Sequence, residues 1–168
     1  LRGLFQTEST ATIKGSLTVY SSATIKGVTD ASVAPTGYWQ EVLISSPNSA
    51  AAPAASTDYV TIATVTLTAG SWDVYGSCVE QTGGTTAQTR SYCAISTTAN
   101  NADTADGDSY TEISAVPTVS AYWNINAGPR RFNISSNTTV YLTMNLAYSV
   151  LGGATISIRS KLKAVRVR

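Results

Sequence analysis

Residues 67–76 have the sequence LTAGSWDVYG. Its Ala-Gly pair favours a turn, and alternating segments flank that turn on both sides. Downstream, Trp72, Val74, Gly76 and Cys78 occupy every second position, and residues 59–68 alternate in the same way upstream. A period of two predicts strands with one buried and one exposed face. The stretch therefore predicts two β-strands joined by a turn.

The same pattern recurs from Tyr38 to the end of the chain, and no segment has a helical period. We predict about eight strand segments, at residues 39–45, 59–68, 71–80, 90–97, 111–114, 119–125, 131–135 together with 139–149, and 154–167. Turn-forming residues separate them, including Ala127-Gly128-Pro129, and the Ala-rich residues 49–56 are predicted to form a loop. Many short strands of this kind indicate an all-β fold, a β-sandwich or jelly roll.

Alternation also assigns the buried face of each strand. The predicted core contains Val65, Leu67, Trp72, Val74, Gly76, Cys78, Ile95, Val119, Ala121, Trp123, Ile125, Phe132, Ile134, Val140, Leu142, Met144, Leu146, Tyr148, Ile156 and Ile158. These side chains supply enough apolar bulk for one core in a head of about 130 residues.

The first part of the chain contains a repeat, because ATIKG at residues 11–15 returns at residues 23–27. Unbroken alternation between the two copies predicts an extended ribbon with one apolar face, which a single chain cannot cover. We therefore predict that three chains intertwine. The inward residues of each chain would be Ile13, Leu17, Val19 and Ile25. The alternative is an N-terminal hairpin of a monomeric sandwich.

This interpretation divides the chain into a trimeric β-stem at residues 1–33 and a jelly-roll-like β-sandwich head at residues 34–168. Turn residues at positions 30–37 are expected to form the hinge. The chain begins Leu1-Arg2-Gly3, without an initiator Met or a signal-peptide pattern, so we expect a fragment of a longer protein.

Composition excludes several classes of function. The chain has no His, which removes His-based nucleophilic catalysis and most zinc sites. Only 12% of residues are charged, and 25 Thr and 21 Ser replace the missing polar groups. The net charge of +1 is too small for general nucleic-acid binding. No apolar run reaches the roughly 20 residues that span a membrane, so we expect no membrane insertion.

The acidic residues give no sign of catalysis. They are scattered, and no pair suits the two-carboxylate chemistry of polysaccharide hydrolysis, so we expect no enzyme activity and no cofactor. The exception is the loop at residues 100–108, which holds Asp103, Asp106 and Asp108. Its spacing is not that of an EF-hand, so we expect a solvated, mobile loop without a metal.

Two cysteines, Cys78 and Cys93, lie in strand-like segments with a spacing that fits no metal motif. They are interpreted as small buried hydrophobic residues. A disulfide between neighbouring strands is the alternative.

Several motifs occur in a distinctive order. They are APTG at 34–37 followed by Glu41-Val42, residues 67–76, ISTT at 95–98, RFNISSNTTVYL at 131–142, and VRVR at 165–168. Together, over residues 34–168, they resemble the C-terminal head of tail-fibre and other tail proteins of tailed bacteriophages. The resemblance implies a homotrimeric, jelly-roll-like tip at the distal end of a virion's tail fibre. Upstream fibre segments would connect this tip to the rest of the fibre. It also implies binding to a bacterial surface polysaccharide or outer-surface protein.

Aromatic and polar residues on the predicted head are candidates for glycan contact, because aromatic rings stack on sugar faces. The candidate receptor-binding rim contains Tyr110, Tyr122, Asn124 and Arg130. Alternatively, Tyr122 packs between subunits, and Arg130 is solvated or pairs with an acid across the trimer.

The last strand carries a basic stripe of five residues without an acid: Arg159, Lys161, Lys163, Arg166 and Arg168. Such a stripe would attract a phosphate- or carboxylate-bearing polysaccharide. The alternatives are protection of a strand edge and pairing with acids of a neighbouring subunit.

The sequence thus predicts a non-enzymatic receptor-binding head, an adhesin for host attachment. A structural trimerisation or folding cap without receptor contact is the second hypothesis. A capsid-decoration protein or a secreted trimer of the complement or tumour-necrosis-factor type is the third.

Overall fold

The computed structural model describes residues 41–47, 50–51, 59–82, 86–103, 110–113, 122–150 and 156–167. These residues form nine strands: β1 (Val42–Ser45), β2 (Ala50–Ala51), β3 (Val60–Leu67), β4 (Gly70–Thr82), β5 (Thr86–Ser96), β6 (Tyr110–Ile113), β7 (Tyr122–Ile134), β8 (Thr138–Val150) and β9 (Ile156–Arg166). The described residues contain no helix, and hence none that could cross a membrane. The predicted all-β class is confirmed.

The strands form two antiparallel sheets in a β-sandwich-like arrangement. The first sheet has the order β1-β9-β4-β7, with β2 also pairing with β9, and the second has the order β3-β8-β5-β6. Apart from the β5–β6 connection, the chain from β3 onward passes to the other sheet after every strand. The first long-range pair, β1 with β9, joins the two ends of the described region.

The core lies between the inner faces of the two sheets, and the predicted alternation is confirmed there. Trp72, Val74 and Cys78 of β4 are fully buried, as are Leu142 and Met144 of β8. The larger cluster also contains Ile62, Val65, Leu67, Cys93, Ile95, Ile125, Phe132, Val140, Leu146, Ile158 and Leu162. At about 1.5–3 kcal/mol for each large side chain, this burial is the main stabilising contribution of the fold.

The predicted turn at residues 127–129 is wrong. Gly128 and Pro129, joined by a cis peptide bond, lie inside the continuous strand β7. The register of β4 against β7 shifts between Val74 and Gly76, which marks a β-bulge. Gly128 has φ of +89°, and a Cβ there would meet the carbonyl oxygen of Val74 at 2.7 Å. A bulge, and not a chain reversal, therefore explains the Gly-Pro pair.

The predicted loop at residues 49–56 is corrected at Ala50–Ala51, which form β2 against Ile158 and Ser157. The remainder of that segment lies outside the described residues, as do residues 119–121.

The proposed stem at residues 1–33 also lies outside the described residues. This applies to its core residues Ile13, Leu17, Val19 and Ile25, and to the stem–head boundary.

Candidate functional site

The outward side chains of β4, β7 and β9 form one continuous surface on the first sheet, which we call the polar face. It comprises Asp73, Tyr75, Ser77, Val79 and Gln81 on β4, Tyr122, Asn124, Asn126 and Arg131 on β7, and Ser157, Arg159, Lys161 and Lys163 on β9. Tyr122 is 69% exposed and Tyr75 is 42% exposed. Strand alternation explains the arrangement, because the residues between these positions fill the core.

Strand register arranges the polar face in rows. Lys161 lies opposite Ser77, which lies opposite Asn126. In the next row, Arg159 and Asn124 lie on either side of Val79. Adjacent strands are about 4.8 Å apart, so each row spans about 10 Å. Each of these rows therefore presents a cation from β9 and an amide from β7.

A cavity of about 320 Å³ lies at the bulge end of this face. Its lining residues are Tyr75, Gly76, Ser77, Asn126, Ala127, Gly128, Lys161 and Lys163. Tyr75 lies at the register shift, opposite the bulge that contains Gly128 and Pro129. The bulge thus shapes one wall of the cavity, and the two lysines of β9 form the opposite side.

The charged side chains of this face are mostly positive. Among the described residues, the outward positions of β4, β7 and β9 include a single acid, Asp73. Arg131 donates hydrogen bonds to both carboxylate oxygens of Asp73, with Nη2 2.9 Å from Oδ2, and this contact raises the pKa of Arg131. Asp73 is therefore neutralised on its own strand pair, whereas no acid of this face pairs with Arg159, Lys161 or Lys163.

The arrangement suits a hydroxyl-rich, acidic ligand. Amide and hydroxyl groups can both donate and accept hydrogen bonds, as sugar hydroxyls require. The exposed tyrosine rings offer flat apolar surfaces beside a polar tip. Lysine ammonium groups attract carboxylate or phosphate groups.

Two of the four predicted rim residues lie together. Tyr122 and Asn124 are both exposed on the polar face. Arg130 lies on the other side of β7, with its side chain only 15% exposed, and pairs with Asp103 at 2.6 Å. It also donates to the carbonyl oxygen of Ile95 at 3.0 Å. The structure therefore places Arg130 away from Tyr122 and pairs it with an acid of its own chain.

The fourth predicted residue, Tyr110, begins β6 in the second sheet, where it pairs with Ala94. Its side chain is outside the described set. Thr111 donates a hydrogen bond to the carbonyl oxygen of Asn126, so β6 adjoins the β7 edge of the first sheet. Tyr110 is thus placed on a neighbouring strand but not on the polar face.

The basic stripe is corrected at Arg166, which points inward and is buried. Arg166 Nε donates to Glu41 Oε2 at 2.9 Å, and both side chains are at most 5% exposed. Its other guanidinium nitrogens donate to the carbonyl oxygen of Ala69 at 2.7 Å and to the hydroxyl of Thr68. Trp72 Nε1 donates to the carbonyl oxygen of Thr68 at 2.9 Å. Arg166 therefore anchors the fold and does not contribute to the surface charge.

The position of β9 removes one of the alternatives for the stripe, the protection of a strand edge. It lies between β1 and β4, so it is an inner strand and needs no edge protection. Arg159, Lys161 and Lys163 keep their outward positions. Arg168 lies outside the described residues.

The start of the predicted acidic loop is held by the fold. Asn100 Oδ1 accepts a hydrogen bond from the backbone N–H of Thr61 at 2.8 Å, and Asp103 pairs with Arg130. These contacts attach residues 100–103 to β3 and β7, and the mobility of the loop stays a prediction. Asp106 and Asp108 lie outside the described residues, and within those residues no group of three potential metal ligands occurs.

The outer face of the second sheet differs from the polar face because it is covered at its centre. Ala94, Thr143 and Asn145 are at most 1% exposed. The Thr143 hydroxyl donates to the carbonyl oxygen of Asn101 at 3.0 Å, so residues after β5 fold back over this surface. The polar face of the first sheet is thus the more accessible of the two.

Both cysteines are buried, as interpreted from the sequence. Cys78 on β4 and Cys93 on β5 face each other across the core, with their Sγ atoms 2.6 Å apart, and both are free thiols. Burial, and then the contact with Cys93, raises the pKa of the Cys78 thiol well above its ordinary value.

Sequence reasoning missed Tyr75, Ser77 and Asn126 as candidate site residues. Alternation placed Tyr75 outward, but only the register of β4 against β7 and β9 brings these three residues beside the lysines.

No match to this chain was found among family models, curated proteins or solved structures.

Proposed function

We propose that this chain is the receptor-binding head of a tailed-bacteriophage tail fibre. In this proposal it acts without catalysis, as a homotrimer at the distal end of the fibre, and attaches the virion to a glycan on the bacterial surface. The proposal rests on the sequence resemblance and on the geometry of the head.

The strand order supports a jelly-roll head. The first and last strands, β1 and β9, are neighbours, and the chain passes back and forth between two four-stranded arrays. Two interlocked Greek keys of eight strands are the jelly-roll arrangement, which viral capsid and lectin domains use. The short β2 is an addition at the edge of the first sheet.

Residues of the motifs that carry the resemblance meet in one buried network. Glu41, Thr68, Trp72 and Arg166 come from three separate motifs, and hydrogen bonds or ring contacts join them. This gives the motifs a shared structural reason to occur together. It supports the fold implied by the resemblance.

The observation that carries the proposal is the accessible polar face, where exposed Tyr122 lies beside Asn124. A tyrosine left 69% exposed next to amide groups is a typical contact for sugars, since it combines an apolar ring with a polar tip. Three copies on one tip, and several fibres on one particle, would turn modest affinity for each copy into stable adhesion.

The experiment is binding of a fluorescently labelled chain to a panel of bacteria. We expect it to decorate at least one strain, and we expect Tyr122→Ala and Asn124→Ala to weaken decoration while the oligomeric state stays unchanged. Tyr141→Ala, on β8 of the second sheet, is the matched control and should bind normally. Equal binding by all four proteins would remove the polar face as the receptor site.

Two further outcomes address the alternatives. A chain that decorates no strain, yet is needed for fibre assembly, would replace the proposal with the structural cap. Ile13→Asp should prevent trimer formation in light scattering. A folded trimer carrying that substitution would contradict the stem.

A further inference from the structure

We propose that the cavity on the polar face binds the acidic group of an anionic surface polysaccharide, and that Lys161 and Lys163 hold this group. The inference rests on the proposed function, since it names the ligand class for the same face. The relevant acidic groups are carboxylates or phosphates on a sugar chain.

The first argument is charge. Lys161 and Lys163 line the cavity, and the one acid at the outward positions of β4, β7 and β9, Asp73, is engaged by Arg131. Like charges placed side by side repel one another, so uncompensated cations around a cavity are better stabilised when an anion binds.

The second argument is spacing. Alternate residues of a strand are about 7 Å apart, so Arg159, Lys161 and Lys163 form a line of positive charge about 13 Å long. A polymer with repeated acidic groups can contact successive cations along this line. A single small anion would use only one end of it.

The third argument separates a polysaccharide from a nucleic acid. Each cationic row also carries neutral hydrogen-bonding groups, Ser77 and Asn126 in one row and Asn124 in the next. These groups suit sugar hydroxyls, whereas binding to a nucleic-acid backbone depends mainly on many phosphate contacts. The three cations of this face that are not paired with Asp73 are few for that purpose.

The test measures binding of the full chain to four polymers: polygalacturonate, a phosphorylated mannan, neutral dextran and duplex DNA. We expect one or both of the first two to bind, and to bind more weakly as salt increases. The carboxylate and phosphate arms show which acidic group the cavity prefers. Dextran should bind at least about tenfold more weakly, since it makes no ion pair.

The decisive variant is the double substitution Lys161→Gln with Lys163→Gln, which should lower affinity for the acidic polymer about tenfold. The matched control is Lys14→Gln with Lys26→Gln, which changes the net charge by the same amount at the N-terminal repeat. Unchanged affinity in the first variant, an equal loss in the control, or equally tight binding of dextran or DNA would overturn the inference.

The cell assay separates this inference from the proposed function. If the chain decorates bacteria but binds neither acidic polymer, and decoration is insensitive to Lys161→Gln with Lys163→Gln, the inference fails while the proposed function stands. If the chain binds an acidic polymer through the two lysines but decorates no strain, the proposed function fails and the binding site stands.

Discussion

The guanidinium carbon of Arg166 lies 4.3 Å from the centre of the Trp72 ring. The last residue of β9 is thereby stacked on a fully buried residue of β4, while its nitrogens bind Glu41 before β1 and the turn between β3 and β4. A cation over an indole is favourable, and it is most favourable when water is excluded. One side chain therefore joins the start of β1, the connection between β3 and β4, and the end of β9.

We expect Arg166→Met to lower the free energy of unfolding by about 3–5 kcal/mol, because the Glu41 carboxylate would remain buried without the charge of Arg166 beside it. Arg166→Lys should also be destabilising, since an ammonium group cannot reproduce the planar set of contacts to Glu41, Thr68 and Ala69. Urea unfolding followed by tryptophan fluorescence measures both.

The matched control is Arg131→Met, which removes an arginine from the exposed pair with Asp73 and should have a much smaller effect. The double variant Glu41→Gln with Arg166→Met should be more stable than Arg166→Met alone, because it no longer buries the Glu41 charge without Arg166. Equal losses for Arg166→Met and Arg131→Met would show that burial of the pair is unimportant.

Gly128→Ala should destabilise the head by about 1–3 kcal/mol. Gly128 has positive φ, and a Cβ there would meet Val74 O at 2.7 Å and Ile95 Cδ1 at 2.9 Å. Neither the backbone of β4 nor the core side chain can move away from the added Cβ without losing other contacts. Thermal unfolding checks the expectation.

Asn124→Ala, an outward position on the same strand, serves as the comparison for Gly128→Ala and should change stability by less than about 0.5 kcal/mol. A stable Gly128→Ala protein would mean that β7 can adopt another bulge geometry.

The strand faces were predictable because alternation is a local property. Trp72, Val74 and Cys78 face the core for the same reason that Tyr75 and Ser77 face outward. A second local rule, that Gly and Pro mark a turn, failed at Gly128-Pro129. Turns and bulges use the same residue types. Only the pairing of β4 on both sides of the bulge distinguishes them.

The candidate site was only partly predictable, because register is not local. The basic stripe combined residues of both faces, and the one-residue offset between Arg166 and its neighbours changes a surface cation into a buried one. Arg130 was likewise assigned to the rim, but its partner Asp103 is 27 residues away in sequence. No pattern in the sequence connects these two residues.

Asn100→Ala should lower stability by about 1–2 kcal/mol. Asn100 has φ of 52°, in the left-handed region, which Asn tolerates better than Ala. Its Oδ1 accepts from the N–H of Thr61 at 2.8 Å, and its own N–H donates to the Thr61 hydroxyl at 3.0 Å. Ala loses the first hydrogen bond and also strains the backbone.

Asn100→Gly separates the two causes, because glycine accepts the backbone conformation but cannot replace the side-chain hydrogen bond. We expect a smaller loss than for Asn100→Ala in urea unfolding. If Asn100→Gly were the less stable of the two, the left-handed conformation would not be the limiting factor.

The buried thiol of Cys78 makes the stability of the reduced protein depend on pH. Burial raises the pKa of Cys78 in the folded state, whereas a cysteine in the unfolded chain has a pKa of about 8.5. Above that pH the unfolded chain has lost a proton that the folded protein keeps. The contribution of Cys78 to stability is therefore fully present below about pH 8.5. As the pH rises above that value, the free energy of unfolding falls by about 1.4 kcal/mol per pH unit.

Urea unfolding between about pH 7.5 and 9.5, with a reductant present, measures this slope. Cys78→Ala should show a slope that is shallower by about one proton, whatever its absolute stability, because the substituted side chain does not titrate. Comparing slopes avoids the cost of the small cavity that the substitution creates beside Cys93. Identical slopes in the two proteins would mean that Cys78 has the same pKa in the folded state as in the unfolded chain, contrary to its burial.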